Sequence, residues 1–378
     1  MPLLVNKILP LLIMIGVMVL WHFGIMVLLL LVVSQNAIMP QSQNAKVTSM
    51  KKKFKWGILG AGKIAGKFAT DLALLPDAQL YAVGSRSLKK AKSFATTYGF
   101  KKSYGSYESL LSDPNLDVVY IATPHSGHCE HTLLALDKGV PVLCEKPLAI
   151  NAKQVQQMIR KAKKKKVFLM EALWTLFLPH LHKIKELIAA DAIGEVQSVR
   201  ADFGFLANFD PTSRLFDPAL GGGALLDIGI YPLLLAQYCL GVPDTITATA
   251  ILGATKVDED INVTLTYQDQ KIAHLHASLR GHTPVDAHIY GTKGYIHIPS
   301  RWHNPVSHLE LFDYATSKTT KYLMPRHAKG YKYEAQAVMD YLAADLLESP
   351  IASWQFSLDL MRTMDEVRRQ VGVRYPMD

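Results

Sequence analysis

The residues with the most chemical content fall in three clusters. The first is the run Trp56-Gly57-Ile58-Leu59-Gly60-Ala61-Gly62-Lys63-Ile64-Ala65-Gly66, an apolar stretch that enters a glycine turn and leaves it as a helix. Such a turn is built to hold a pyrophosphate. Gly60 permits the tight turn, Gly62 lets backbone N–H groups approach the phosphates, and Ala65 keeps the following helix close to the strand. The helix that opens at Lys63 and Ile64 adds partial positive charge toward the anion. The second cluster is Cys144-Glu145-Lys146-Pro147, where a proline fixes the backbone just after a lysine. The third runs from Gly221 to Tyr231, and its Asp227 and Tyr231 stand four apart on one face of an otherwise apolar helix. The residues alone leave two readings. Asp227 and Tyr231 belong to a reaction site, or Asp227 answers a backbone N–H or Lys146 while Tyr231 is a core aromatic.

Alternating elements must carry the first two clusters. Strands are predicted at Lys55–Leu59, Gln79–Gly84, Asp117–Ala122, Val140–Cys144 and Val167–Glu171, with helices opening near Lys63, Ser87, His128 and Asn151. Short strands apolar on both faces, separated by helices, give a doubly wound parallel sheet that binds ligands at its carboxyl edge. Lys146, just past the strand Val140–Cys144, would then face a nicotinamide. The second strand ends in Ser85-Arg86-Ser87, where no Asp or Glu is available to hold a ribose diol. A guanidinium there suits a 2′-phosphate, so NADP is expected over NAD; the alternative is that Arg86 is a solvated loop residue.

Beyond Trp174 the pattern changes. Helices are predicted at Pro179–Ala190 and from Gly223 to Leu240, with longer strands at Val196–Phe205, Thr245–Leu252, Asp260–Tyr267, Lys271–Leu279, Val285–Gly291 and Gly294–Ile298. Tight turns between them suggest an antiparallel sheet, closed by helices near Tyr333–Glu348 and Gln355–Val371.

The chain of 378 residues is long enough for two domains and carries a net charge of +9. Lys7 and Lys46 are the only charges before Met50, leaving +7 on the rest. No nucleic-acid motif accompanies that charge, and the basic run Arg160–Lys166 reads as a solvated helix end. Three cysteines, Cys129, Cys144 and Cys239, follow no metal or redox spacing. The His125-Ser126-Gly127-His128-Cys129-Glu130-His131 cluster lacks the partners that would complete a metal site, so no metal is expected. Residues 8–33 are nearly continuous apolar sequence, long enough to cross a bilayer. Either this segment is an anchor, with lysines at 46, 51, 52, 53 and 55 holding the catalytic part in the cytoplasm, or translation starts at Met50.

Taken together, Gly60-Ala61-Gly62-Lys63-Ile64-Ala65, Ala122-Thr123-Pro124 with His128, Glu145-Lys146-Pro147, Met170-Glu171-Ala172-Leu173-Trp174, Gly221–Tyr231 and Gly291-Thr292-Lys293-Gly294 resemble the glucose–fructose oxidoreductase/inositol dehydrogenase (Gfo/Idh/MocA) family. Within it the chain is most similar to the dimeric dihydrodiol dehydrogenase and NADP-dependent D-xylose dehydrogenase branch, to which Tyr231 points where many relatives have His. The resemblance spans about Lys53 to the C-terminus. It implies a Rossmann domain 51–172 that binds NADP and a substrate-binding α/β domain 173–378 whose large open-faced sheet builds a homodimer; residues 1–50, an anchor or a mis-assigned start with its linker, lie outside the resemblance. It also implies roles: Lys146 as the active-site lysine, Tyr231 as acid/base, Asp227 as their neighbour. Gly60, Gly62, Lys63, Ile64, Ser85 and Arg86 would bind the cofactor, with Thr123 and His128 along it and Glu145 near the nicotinamide ribose. Trp174 would lie by the substrate.

These roles imply oxidation or reduction of a sugar, cyclic polyol or vicinal diol. A hydride leaves carbon for the nicotinamide while the hydroxyl proton goes to a base, and an ammonium beside a phenol favours the phenolate. The alternative function is an NADP-sensing regulatory protein that kept the fold and lost catalysis. A glycosidase with a redox elimination cycle is a third, which Arg86 disfavours because a retained cofactor gains nothing from NADP selectivity.

Overall fold

The computed structural model describes residues 53–324 and 328–378; the apolar segment 8–33 and the proposed start at Met50 lie outside them. The first half builds β1 (Phe54–Leu59), α1 (Lys63–Leu72), β2 (Ala78–Gly84), α2 (Leu88–Tyr98), β3 (Lys102–Tyr104), α3 (Tyr107–Leu111), β4 (Val118–Ile121), α4 (His128–Asp137), β5 (Val142–Glu145), α5 (Ala152–Lys165) and β6 (Leu169–Ala172). Side-chain oxygens start several of these helices: Ser87, Ser106 and Asn151 each accept an N–H from the first turn that follows. The strands form one parallel sheet in the order β3-β2-β1-β4-β5-β6. β4, β5 and β6 are buried at every position, as a sheet covered by helices on both faces requires. The order reverses between β1 and β4, so the crevice at their carboxyl ends is the ligand position of a doubly wound fold.

The second half adds α6 (Pro179–Ala189), β7 (Val196–Gly204), a π-helical turn at Leu225–Gly229, α7 (Ile230–Leu240), β8 (Thr245–Leu252), β9 (Asp258–Thr266), β10 (Ile272–Ser278), β11 (Ala287–Gly291), β12 (Gly294–Ile298), β13 (His308–Asp313), β14 (Lys318–Leu323), α8 (Tyr331–Ala343) and α9 (Trp354–Val371). Its strands lie in the order β14-β13-β12-β11-β7-β10-β9-β8. Neighbours run antiparallel except β7 and β10, which are parallel, so the antiparallel expectation holds for all but one pair. The segment Pro218–Leu240 is long and apolar enough to cross a membrane, but 89% of its apolar window is buried inside the protein, where it serves as a core helix.

Both sheets belong to one compact unit, Lys51–Asp378. Asp71, buried on α1, accepts N–H groups from Lys329, Tyr331 and Lys332 at 2.9–3.4 Å, so a carboxylate of the first half caps a helix of the second.

Candidate active site

The glycine turn is shaped by close approach. Gly60 has φ +98°, and a Cβ there would meet the Ala122 carbonyl oxygen at 2.7 Å. A side chain would therefore push β1 off β4 at the crevice. Gly62 starts α1 without a side-chain cap, and a Cβ on it would meet nothing within 4 Å. The first N–H groups of α1 thus open onto free space, which fits a dinucleotide pyrophosphate. Lys63 is exposed and Ile64 half-buried beside them. At the end of β2, Ser85 is buried and accepts the Ser87 N–H, while Arg86 is exposed.

Across the crevice the three predicted reactive residues meet. Lys146 reaches over from the end of β5 and donates to the main-chain oxygen of Asp227 at 2.5 Å; its Nζ also lies 3.6 Å from the Asp227 carboxylate. The same ammonium sits 4.9 Å from the centroid of the Tyr231 ring. Arg214 donates to Asp227 Oδ1 at 2.6 Å. Burial opposes the charge on Asp227, but Lys146 and Arg214 outweigh it and hold the carboxyl well below the usual carboxylate range. Arg214 carries no motif; it comes from the loop before the Gly221 turn, and spacing gives no hint of its partner.

Tyr231 is buried in an aromatic wall. Its hydroxyl accepts the Trp174 indole N–H at 3.0 Å, and Phe203 and His303 lie 5.6 and 5.0 Å from its ring. Trp174 is itself stacked on Tyr331 at 4.6 Å. Burial raises the Tyr231 phenol far above its ordinary value, with the Trp174 hydrogen bond pulling the other way. The protein by itself therefore holds Tyr231 as the neutral phenol. Phe203 comes from β7, His303 from the loop before β13 and Tyr331 from α8, and sequence reading missed all three.

Three predicted residues lie deeper than expected. His128 is fully buried, with Nδ1 2.8 Å from the Pro147 carbonyl and Nε2 2.9 Å from the Thr123 carbonyl. Burial pushes its pKa down to about 4, so the neutral ring has one N–H and donates to one of these two carbonyls, while the imidazole packs between the two loops. Thr123 instead shares its hydroxyl with His131 Nδ1 at 2.9 Å. Glu145 is buried, takes a hydrogen bond from the Tyr120 hydroxyl, and accepts the Lys146 N–H at 3.1 Å. Burial raises its pKa. The third histidine of the metal-like cluster, His125, faces the Gly221 carbonyl at 3.0 Å.

Comparison with known proteins agrees with this architecture. Residues 54–173 match the Gfo/Idh/MocA oxidoreductase family with its NAD-binding Rossmann fold, and residues 181–297 match the Gfo/Idh/MocA C-terminal domain. The trans-1,2-dihydrobenzene-1,2-diol dehydrogenase of Xenopus tropicalis is 41% identical over 331 residues, which is 85% of this chain and 99% of its own. The enzyme of the same name from Mus musculus is 36% identical over 336 residues, 86% of this chain and 98% of its own. Among solved structures, the aldose-aldose oxidoreductase from Caulobacter crescentus, complexed with glycerol, shares the fold with a TM-score of 0.77 at 24% identity, covering 85% of this chain and 98% of that one. A 3-ketoreductase from Actinomadura kijaniata, solved with NADP and TDP-benzene, gives 0.76 at 24% identity over the same shares. The fold, the crevice and these matches define an NAD(P)-dependent oxidoreductase, an enzyme of the dehydrogenase and reductase class. The chain belongs to the Gfo/Idh/MocA family.

Proposed function

We propose that this enzyme uses NADP to move a hydride to or from the carbinol carbon of a sugar, cyclic polyol or vicinal diol, with Tyr231 and Lys146 as its acid/base pair. The observation that carries the reading is the ammonium of Lys146, from the first half of the chain, 4.9 Å from the Tyr231 ring of the second half, beside the nucleotide crevice. When bound, the nicotinamide supplies the hydride acceptor or donor. Tyr231 holds the proton at its hydroxyl oxygen. In reduction it gives that proton to the substrate oxygen; in oxidation its phenolate takes the proton of the substrate hydroxyl. Lys146 offsets the burial that opposes the phenolate, and Asp227 keeps the ammonium in place. The Trp174 N–H fills one side of the phenolic oxygen and leaves the other for substrate.

Arg86, exposed at the carboxyl end of β2 with no acidic residue beside it, supports NADP. The names of the relatives support a vicinal diol or sugar as substrate. Residues 51–172 would then be the NADP-binding domain and 173–378 the substrate domain. The outer face of the second sheet, carrying Tyr290, Tyr295 and Phe312 in a run of ring contacts, supports a homodimer. The test is a panel of aldoses, inositols and diols with NADP and NAD, run on the parent protein, Tyr231→Phe and Lys146→Met. Each variant should lose about 10²–10⁴-fold in turnover while NADP still binds. Full activity in either would remove that residue from the mechanism.

A further inference from the structure

We propose that Arg214 is a substrate-binding residue that selects an oxygen on the carbon next to the reacting carbinol. The inference rests on the reading of Tyr231 and Lys146 given above, which puts that carbinol at the Tyr231 hydroxyl. The Arg214 guanidinium gives Nη1 to Asp227 Oδ1 at 2.6 Å, and among the described residues it makes no other hydrogen bond. Lys146 Nζ lies 3.6 Å from the same oxygen. Two cations therefore flank one carboxylate oxygen, and one of them sits 4.9 Å from the centroid of the Tyr231 ring. The Arg214 charge also reaches Glu145 on the other side of the crevice, where it favours the carboxylate. Yet the Arg214 side chain is 57% exposed, against 9% for Asp227. One nitrogen is spent inward on the buried carboxylate, and the Nε–Nη2 edge keeps two N–H donors side by side.

The backbone around Arg214 is tied down on both sides. The Ser213 carbonyl accepts the Phe216 and Asp217 N–H groups at 3.0 and 2.9 Å, and the Leu215 carbonyl accepts the Gly223 N–H at 2.8 Å. Phe216 is buried beneath them. The last of these bonds runs to the glycine turn that opens the helix of Asp227 and Tyr231, so the arginine and the phenol share one support. A guanidinium only donates, and its fork suits paired oxygens. A vicinal diol or hydroxyketone offers a second oxygen one carbon from the reacting one, where the fork can take it. A lone alcohol leaves the fork unanswered, and an ammonium at that carbon would meet like charge.

The test uses three probes on one ring: trans-cyclohexane-1,2-diol, cyclohexanol and trans-2-aminocyclohexanol as its ammonium. Their affinities for the enzyme–NADP complex are titrated by tryptophan fluorescence, so none of them needs to be turned over. The parent should bind the diol about 10–100-fold tighter than cyclohexanol, the effect of one hydrogen bond to a charged group, and the ammonium most weakly. Arg214→Met should abolish the preference for the diol and improve binding of the ammonium. Arg214→Lys should abolish the same preference, because its single ammonium pairs with Asp227 and has no fork to spare. Thermal melting establishes that each variant is folded. A parent without a preference for the diol overturns the proposal. So does an equal loss for diol and cyclohexanol in Arg214→Met, which would confine Arg214 to holding Asp227. Turnover by Tyr231→Phe is measured separately: full activity there would refute the acid/base reading and leave the Arg214 affinity ratios standing.

Discussion

Replacing Trp174 with Phe isolates the contribution of one hydrogen bond to the proton step. Trp174 is buried, and its indole N–H meets the Tyr231 oxygen at 3.0 Å. The bond is modest to a neutral phenol and stronger to a phenolate, because a hydrogen bond to a charged group contributes about 1.5–3 kcal/mol. At 1.36 kcal/mol per unit, its loss should raise the pKa of Tyr231 by about 1–2 units. The sign follows from which form the bond favours: it stabilises the deprotonated oxygen, so removing it makes the phenolate scarcer at any given pH. In the oxidative direction, the rising limb of kcat/KM against pH should move upward by about 1–2 units, and the rate near neutrality should fall about 10–100-fold and recover in alkali. In the reductive direction the acid is already protonated, so the neutral rate should change much less. Phe leaves a space beside Tyr331, so thermal melting must accompany the kinetics. An unmoved limb in a stably folded Trp174→Phe would refute the reasoning, because Tyr231 would then not be the titrating base.

Arg86→Ala should weaken NADP binding about 10–100-fold, the value of one charge-assisted bond, and leave NAD binding unchanged; fluorescence titration of both nucleotides checks it. Asp258 makes a stability prediction. It is fully buried, burial pushes its carboxyl up to about 7, and one oxygen accepts the Leu225 N–H at 2.6 Å at the start of the helix that carries Asp227. Between about pH 4 and 7 the folded protein keeps a proton that the unfolded chain has released, so stability falls as pH rises through that window and levels off above it. Asp258→Asn retains an acceptor for Leu225 but cannot titrate. Relative to the parent it should gain about 1–3 kcal/mol between pH 5 and 7.5. Denaturant unfolding at the two values measures this, and parallel curves would reject it. Glu171, also raised to about 7 by burial, contributes the same slope to both proteins and cancels.

The crevice was legible because each of its parts depends on local pattern. β1, the turn and α1 follow from residues contiguous in sequence, and β4 to β6 from apolar runs that every covered parallel strand needs. β3 and α3, at the edge of the first sheet, escaped because three- and five-residue elements have no room for periodicity. β14 escaped for another reason: it is an exposed edge strand, Lys318-Thr319-Thr320-Lys321-Tyr322-Leu323, with no buried face to leave a hydrophobic trace. β7 and β10 lie side by side in parallel although tight turns link other strands, and no turn could report a pairing between Ser198 and Ile272, so far apart in the chain. Within the site, Lys146, Asp227 and Tyr231 were found as residue types. The contact of Arg214 with Asp227 and the π-turn were not: the contact joins a loop to a helix without a spacing signal, and the i to i+4 argument assumes the very helical period that the turn departs from.

His128 is packed between the loop after β4 and the loop after β5, with its single N–H hydrogen-bonded to a carbonyl of one of them. Thr123 and Lys146 stand on those loops, so one fully buried ring fills the space that sets their spacing. A smaller side chain at 128 would leave a void between the two segments and let them shift against each other.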